Sequence, residues 1–337
     1  MRHIVLGLAA ALAVTLPASA QDINAQQALD DLRVLTTDEM DGRRTGTQGA
    51  ADARAYISER FFLSGLLAFG ETWEQAFTYT PRRSAEELQG INLVGYHAGT
   101  GGNENGPVIV VTAHYDHLGN CGGQICNGAD DNASGVAAMI AVAEALRGNP
   151  PEHTILFAAL DAEENGLNGA RALVADLPVD QSRVVLNINL DMLAINAENE
   201  LPAAGAFHFP FLREHIDAID VAAPTHVIQG YDSPEWGPNG DWTYSSDHAA
   251  FHDAGIPWIY YGVDFHEHYH QPTDEFEVVQ QDFFLSNAQT VLNAVVYFDE
   301  NLDTVAAELA AQRAAAPEVE GGHVSEDGRF IKPGMAQ

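Results

Sequence analysis

Residues 107–117 read PVIVVTAHYDH. From Val108 to Ala113 the side chains are apolar or β-branched, over a length that suits a buried strand and is too short for a helix. The run ends in His114, Asp116 and His117, so an interior strand delivers ionisable groups at its carboxyl end. Working outward, INLVGY (91–96), HTILFAAL (153–160), VVLNINLD (184–191) and IPWIYYGV (256–263) share this β-rich, apolar character. Between and around them lie helical patterns at 50–67, 134–147, 166–177 and from 281 to about 315. Such alternation predicts an α/β fold with a largely parallel, buried central sheet, whose carboxyl edge is where ligands bind. Upstream, 22–70 is helical in pattern, with Leu29, Leu32, Val34 and Leu35 preceding a polar loop, DGRRTGTQG (41–49). Residues 196–244, rich in Pro, Gly and aromatics, fit no simple unit and read as an insertion that shapes a pocket.

The ends of the chain read differently. Arg2 and His3 open a basic segment, residues 4–16 are apolar, and Ala18-Ser19-Ala20 offers small residues for cleavage. Residues 1–20 therefore read as a signal peptide, with the mature chain starting at Gln21 and exported to the periplasm or beyond. The folded domain is expected over 21–315 and a disordered polar tail over 316–337. The chain carries 48 acidic against 15 basic residues, a net charge of −33, and Lys332 is its only lysine. A field of that sign repels nucleic acid and anionic lipid, which excludes both as partners. Once the signal is removed, no remaining run is long and apolar enough to cross a bilayer. Cys121 and Cys126, in CGGQIC, read as a disulfide-closed loop in an exported protein.

Five segments carry the chemistry: AHYDH (113–117), GADDNASG (128–135), DAEENG (161–166), NLDM (189–192) and YHQPTD (269–274). Each places carboxylate or imidazole after an apolar segment. Buried charges need partners, and with so few basic residues available the partners are cations. Imidazole mixed with carboxylate suits zinc better than calcium or magnesium.

In their order and spacing the five segments resemble those of the clan MH zinc aminopeptidases, a group that includes glutaminyl cyclases, glutamate carboxypeptidases and the transferrin receptor ectodomain. The resemblance runs from about Leu32 to Asn301. It implies a three-layer α/β/α zinc-dependent exopeptidase fold with a mixed, mostly parallel sheet, two Zn2+ ions and peptide substrates. It further implies one zinc on Asp130, Glu164 and His270 and one on Asp130, His114 and Asp191, with Asp130 bridging and a cis peptide at Asp130–Asp131. Asp116 is expected to receive the second N–H of His114, and Glu163 to act as general base on a water held between the ions.

His266 and His268 are assigned to the pocket lining or surface, and His117 to a place behind the ligands or at the rim of the site. His248 and Tyr269 are candidate substrate contacts, although the segment around Asp247 and His248 serves equally well as structure. Tyr231, Trp236, Trp242, Tyr244, Phe251 and Phe265 suggest aromatic walls and an apolar first residue. Removal of N-terminal residues is the leading reading. The alternatives are glutaminyl cyclisation or carboxypeptidase action on the same scaffold. A carboxypeptidase needs a basic residue for the terminal carboxylate. Between DAEENG and His270 only Arg171, Arg183 and Arg213 are available, none beside a ligand in sequence.

Overall fold

A computed structural model of the protein describes residues 21–81 and 86–315, together with the short strands at 323–324 and 330–331. The expected signal peptide and most of the expected tail lie outside the described residues. The strands are β1 Leu67–Ala68, β2 Glu74–Tyr79, β3 Leu88–His97, β4 Val108–His114, β5 Gly119–Asn120, β6 Ile125–Cys126, β7 Thr154–Leu160, β8 Val184–Leu190, β9 Glu200–Ala204, β10 His226–Gln229, β11 Trp258–Tyr261, β12 His323–Val324 and β13 Phe330–Ile331. The α-helices are α1 Ala25–Leu35, α2 Gln48–Leu63, α3 Gly135–Gly148, α4 Asn168–Ala175, α5 Leu212–Ala222, α6 His248–Asp253 and α7 Gln281–Ala315.

Nine strands form one sheet in the order β1-β3-β7-β4-β8-β11-β9-β10, with β2 paired to β3. The central four, β7, β4, β8 and β11, are mutually parallel. Antiparallel pairs lie toward the margins, at β3–β7 and β11–β9. Side-chain alternation assigns the two faces. Ile109, Val111 and Ala113 of β4 join the core built with α1, α2, α3 and α7. Val108 and Val110 join the smaller core beneath α4 and α6. Both faces are covered, which is why β4 reads as an unbroken apolar run. Each Val or Ile buried there contributes roughly 1.5–3 kcal/mol.

Two local readings are corrected. Helix α2 stops at Leu63, where Gly65 turns the chain at φ +76°, and Leu67–Ala68 pairs with β3 instead. The segment 196–244 is also more regular than its composition suggests. Strand β9, helix α5 and strand β10 form a parallel β-α-β unit that extends the sheet, and only the loop after β10 is irregular. The amphipathic spacing of Leu212, His215, Ile216 and Ile219, all buried, marks α5 as a packed helix.

Candidate metal centre and active site

The parallel strands all end at one edge, and the ionisable residues gather there. His114 is the last residue of β4, Asp191 follows β8, and Glu163 and Glu164 lie on the turn after β7. His270 comes from the loop after β11, where it holds a left-handed backbone at φ +56°.

Two groups of donors meet at one carboxylate, that of Asp131. Its Oδ1 lies 3.5 Å from His114 Nε2, and His114 Nε2 lies 3.3 Å from Asp191 Oδ1. Its Oδ2 lies 3.0 Å from His270 Nε2 and 3.7 Å from His117 Nδ1. Glu164 completes the second group, with Oε1 at 2.7 Å from His117 Nδ1 and Oε2 at 3.4 Å from His270 Nε2. His114, Asp131 and Asp191, and likewise His117, Asp131 and Glu164, each present ligand atoms within 4.8 Å of one another.

This corrects the expectation that Asp130 sits between the two groups. Asp130 points away: its Oδ1 accepts from Ala194 N at 2.7 Å and Ser134 Oγ at 3.1 Å, and its Oδ2 meets His266 Nε2 at 3.0 Å. The cis peptide follows Asp131, not Asp130. Asp274, the last residue of YHQPTD, receives both backbone N–H groups of the pair, Asp130 at 3.0 Å and Asp131 at 3.1 Å, and so ties the two motifs together. Gly128 opens the segment at φ +59°, where a Cβ would sit 2.1 Å from Asp131 O and 2.5 Å from His117 Cδ2. Only glycine fits that approach.

His117 is buried and not at the rim. It lies against Glu164 and Asp131, with its ring 5.8 Å from that of His270. The role expected of Asp116 changes as well. His114 Nδ1 meets the backbone carbonyl of Asp116 at 3.1 Å, which leaves Nε2 free to face Asp131 and Asp191. The Asp116 carboxylate instead accepts the backbone N–H of Glu163 at 3.0 Å and of Glu164 at 3.4 Å. It therefore fixes the turn that presents the two glutamates. His248 is fully buried, with Nε2 on Trp242 O at 2.8 Å and its ring stacked 4.8 Å from that of Tyr260, so it packs the core and is not among the residues lining the two cavities at the site. Tyr269 does line the site and stacks 3.9 Å from the His270 ring.

The electrostatics match a concentrated anionic site. Burial drives the Glu163 carboxyl well above its ordinary range against the pull of His114, and Glu164, Asp247 and Asp191 push it further. Burial also opposes ionisation of Glu164, yet His117 and His270 hold its carboxyl below the ordinary range. Burial disfavours the charged imidazole of His114, but Asp191 and Glu163 raise its basicity well above the usual value. His117 Nδ1 and Nε2, Glu164 Oε1 and Asp191 Oδ1 are buried with no hydrogen-bond partner among the described residues. The 2.7 Å approach of His117 to Glu164 is thus a crowding of polar atoms without hydrogen-bond geometry. Mixed imidazole and carboxylate donors, two of them orphaned against each other, fit cations of the zinc type.

Sequence reasoning missed Arg43. Its guanidinium is fully buried and donates to the carbonyls of Leu35, Tyr115, Asn127 and Gly128. Burial lowers its pKa to about 10, although Asp131 and Asp274 favour its charge. The signal was available in the polar loop 41–49, but nothing local shows that this arginine turns inward. Beside it, Cys121 and Cys126 are disulfide-bonded, with Cα atoms 5.9 Å apart, and close the β5–β6 ribbon.

Two cavities meet at Glu163. One is a small pocket of about 40 Å³ containing His114, Asp131, Asp191 and His270, walled by Met192, Trp242, Tyr260, Val263, Phe265 and Tyr269. The other is a wide cleft of about 790 Å³ that includes Glu163, Glu164, Tyr244 and Arg171. Ser245 also borders both.

Residues 92–295 match the family described as Peptidase family M28. Aminopeptidase YwaD of Bacillus subtilis is 31% identical over 198 residues, 56% of this chain and 40% of that protein. The alkaline phosphatase isozyme conversion protein of Escherichia coli is 30% identical over 167 residues, 46% of this chain and 47% of that protein. The chain thus spans less than half the length of these curated relatives. Among solved structures, a zinc aminopeptidase of Bacillus subtilis matches with a TM-score of 0.66 at 17% identity, over 82% of this chain and 95% of that one. A glutaminyl cyclase of Bacteroides thetaiotaomicron matches with a TM-score of 0.63 at 16% identity, over 82% and 99%. At such identities the likeness is one of fold.

Proposed function

The chain belongs to peptidase family M28, and from that premise we propose that it is an exported two-zinc aminopeptidase that releases apolar N-terminal residues. The observation that carries this reading is the meeting of a small, acid-lined pocket with a wide cleft at Glu163. The small pocket takes one terminal residue, and the wide cleft takes the rest of the peptide. The pocket lining includes no basic side chain other than histidine, so it suits a free α-amine better than a terminal carboxylate.

His114, Asp131 and Asp191 would hold one zinc, and Asp131, Glu164, His270 and His117 the other. When bound, the pair would lower the pKa of a water toward about 7 and polarise the scissile carbonyl. The chain's own contributions are positional and protonic. Asp116 fixes the backbone of Glu163, the carboxylate of Glu163 takes the proton of the attacking water, and the resulting acid delivers it to the leaving amine nitrogen. The walls Met192, Trp242, Tyr260, Val263 and Tyr269 favour an apolar side chain, at roughly 1.5–3 kcal/mol of burial. The Cys121–Cys126 bridge agrees with an oxidising compartment.

Two donor groups sharing one carboxylate favour this reading over the cyclase alternative, for which one cation suffices. The test compares leucyl-, phenylalanyl- and glutamyl-nitroanilide with N-acetyl-leucyl-nitroanilide. Leucyl and phenylalanyl should lead glutamyl, and the acetylated compound should resist. Glu163→Ala should lower kcat by at least about 10²-fold with zinc content unchanged. Equal cleavage of the acetylated substrate would overturn the aminopeptidase reading.

A further inference from the structure

The wide cleft contains a group that the peptidase reading does not use. Arg171 sits one turn into α4, the helix that follows the Glu163–Glu164 turn, and its exposed side chain lines the cleft. It is the only basic side chain in that lining among the described residues. No described residue gives its guanidinium a hydrogen bond or an ion pair, although Glu163 and Glu164 share the cleft. Arg60, by contrast, is held by Asp31 and Glu144.

We propose that Arg171 is a specificity-determining residue that binds a carboxylate on the leaving side of the scissile bond. The inference rests on the aminopeptidase reading, which places the N-terminal residue in the small pocket and the remainder of the peptide in the cleft. A protein of net charge −33 repels an anionic peptide, and the carboxylates at its active site repel it most strongly. An unpaired guanidinium in the cleft offers a local positive charge to the leaving segment. Its planar donor fork matches a carboxylate in geometry. The carboxylate could be the C-terminus of a short peptide or the side chain of an acidic residue beyond the scissile bond. In either case the enzyme would favour short or acidic peptides that its overall charge would otherwise turn away.

The two sources separate in one set of assays. Leu-Gly-Gly is compared with its C-terminal amide, and Leu-Glu-amide with Leu-Gln-amide, using the wild type, Arg171→Met and Arg171→Lys. The readout is the ratio of kcat/KM within each pair, so a variant that merely folds poorly lowers both members and leaves the ratio alone. In the wild type at least one pair should favour the carboxylate by about tenfold, chiefly through KM. Arg171→Met should bring that ratio to one or below, and Arg171→Lys should restore part of it. High salt should compress the wild-type ratio. A wild-type ratio of one in both pairs, or a ratio that survives Arg171→Met, overturns the inference while the aminopeptidase reading stands. Failure of the wild type to release leucine from any of the four overturns both.

Discussion

At the scale of single residues, the centre turns on which of two adjacent aspartates faces inward. Asp131 is shared by both donor groups, whereas Asp130 spends its oxygens on Ala194, Ser134 and His266. Zinc content measured by atomic absorption after dialysis should separate them. Asp131→Asn should weaken both positions, taking retained zinc from about two per chain toward none. Asp130→Asn should retain most of the metal, because its oxygens are taken up by Ala194 N, Ser134 Oγ and His266 Nε2. His117→Ala should weaken the second position by about 10–100-fold in affinity, and His266→Ala should have a smaller effect. A His117→Ala protein that binds two zincs as tightly as wild type would remove His117 from the donor set and leave His270 as its only histidine.

At the scale of elements, the loop between α1 and α2 holds the site from behind. Arg43 joins the end of α1 to the residues after β4 and to the Asn127–Gly128 turn that leads into Asp131. Four carbonyls lose their donor if the guanidinium is removed, and a buried unsatisfied acceptor costs about 1–3 kcal/mol. Arg43→Met is expected to destabilise the fold by about 3–5 kcal/mol, seen as a lower urea midpoint. Arg43→Lys should recover little, since an ammonium cannot span four acceptors on one plane. A midpoint within error of wild type for Arg43→Met would show that solvent replaces these bonds. The β5–β6 ribbon packs on the same loop: Gly42 approaches so closely that a Cβ would lie 2.3 Å from Cys126 O. The disulfide therefore braces a wall that already supports the site.

For the whole molecule, stability should depend on pH through buried histidine. Burial drives the pKa of His248 down to about 3 despite its bond to Trp242 O. In the unfolded chain it titrates near the ordinary value of about 6.5. Between pH 3 and 6.5 the unfolded state therefore binds the extra proton, so stability rises with pH across that window and is fully present above it. Relative to His248→Phe, the wild type should lose about 1.4 kcal/mol of unfolding free energy per pH unit from pH 6 to pH 4. Parallel curves for the two proteins would mean that His248 takes up its proton in the folded state. The sequence by itself determined the α/β alternation, the strand ends that carry ionisable groups, the long last helix and the family, because periodicity and motif spacing are local properties. His114, Glu164, Asp191 and His270 were read from the resemblance of the five ordered segments to the zinc aminopeptidases, and the fold brings them to one edge of the sheet. The regular β9-α5-β10 unit was hidden because Pro202 and the aromatics around it obscure the period, and pairing of β9 with β10 and β11 decides it. Only the tertiary structure chose Asp131 over Asp130, brought His117 to Glu164, sent His248 into the core and turned Arg43 inward. Most of these choices depend on partners far away in the chain, Asp274, Ala194, His266 and Tyr115 among them. A side chain's direction at an irregular turn follows from those hydrogen bonds and not from its neighbours in sequence.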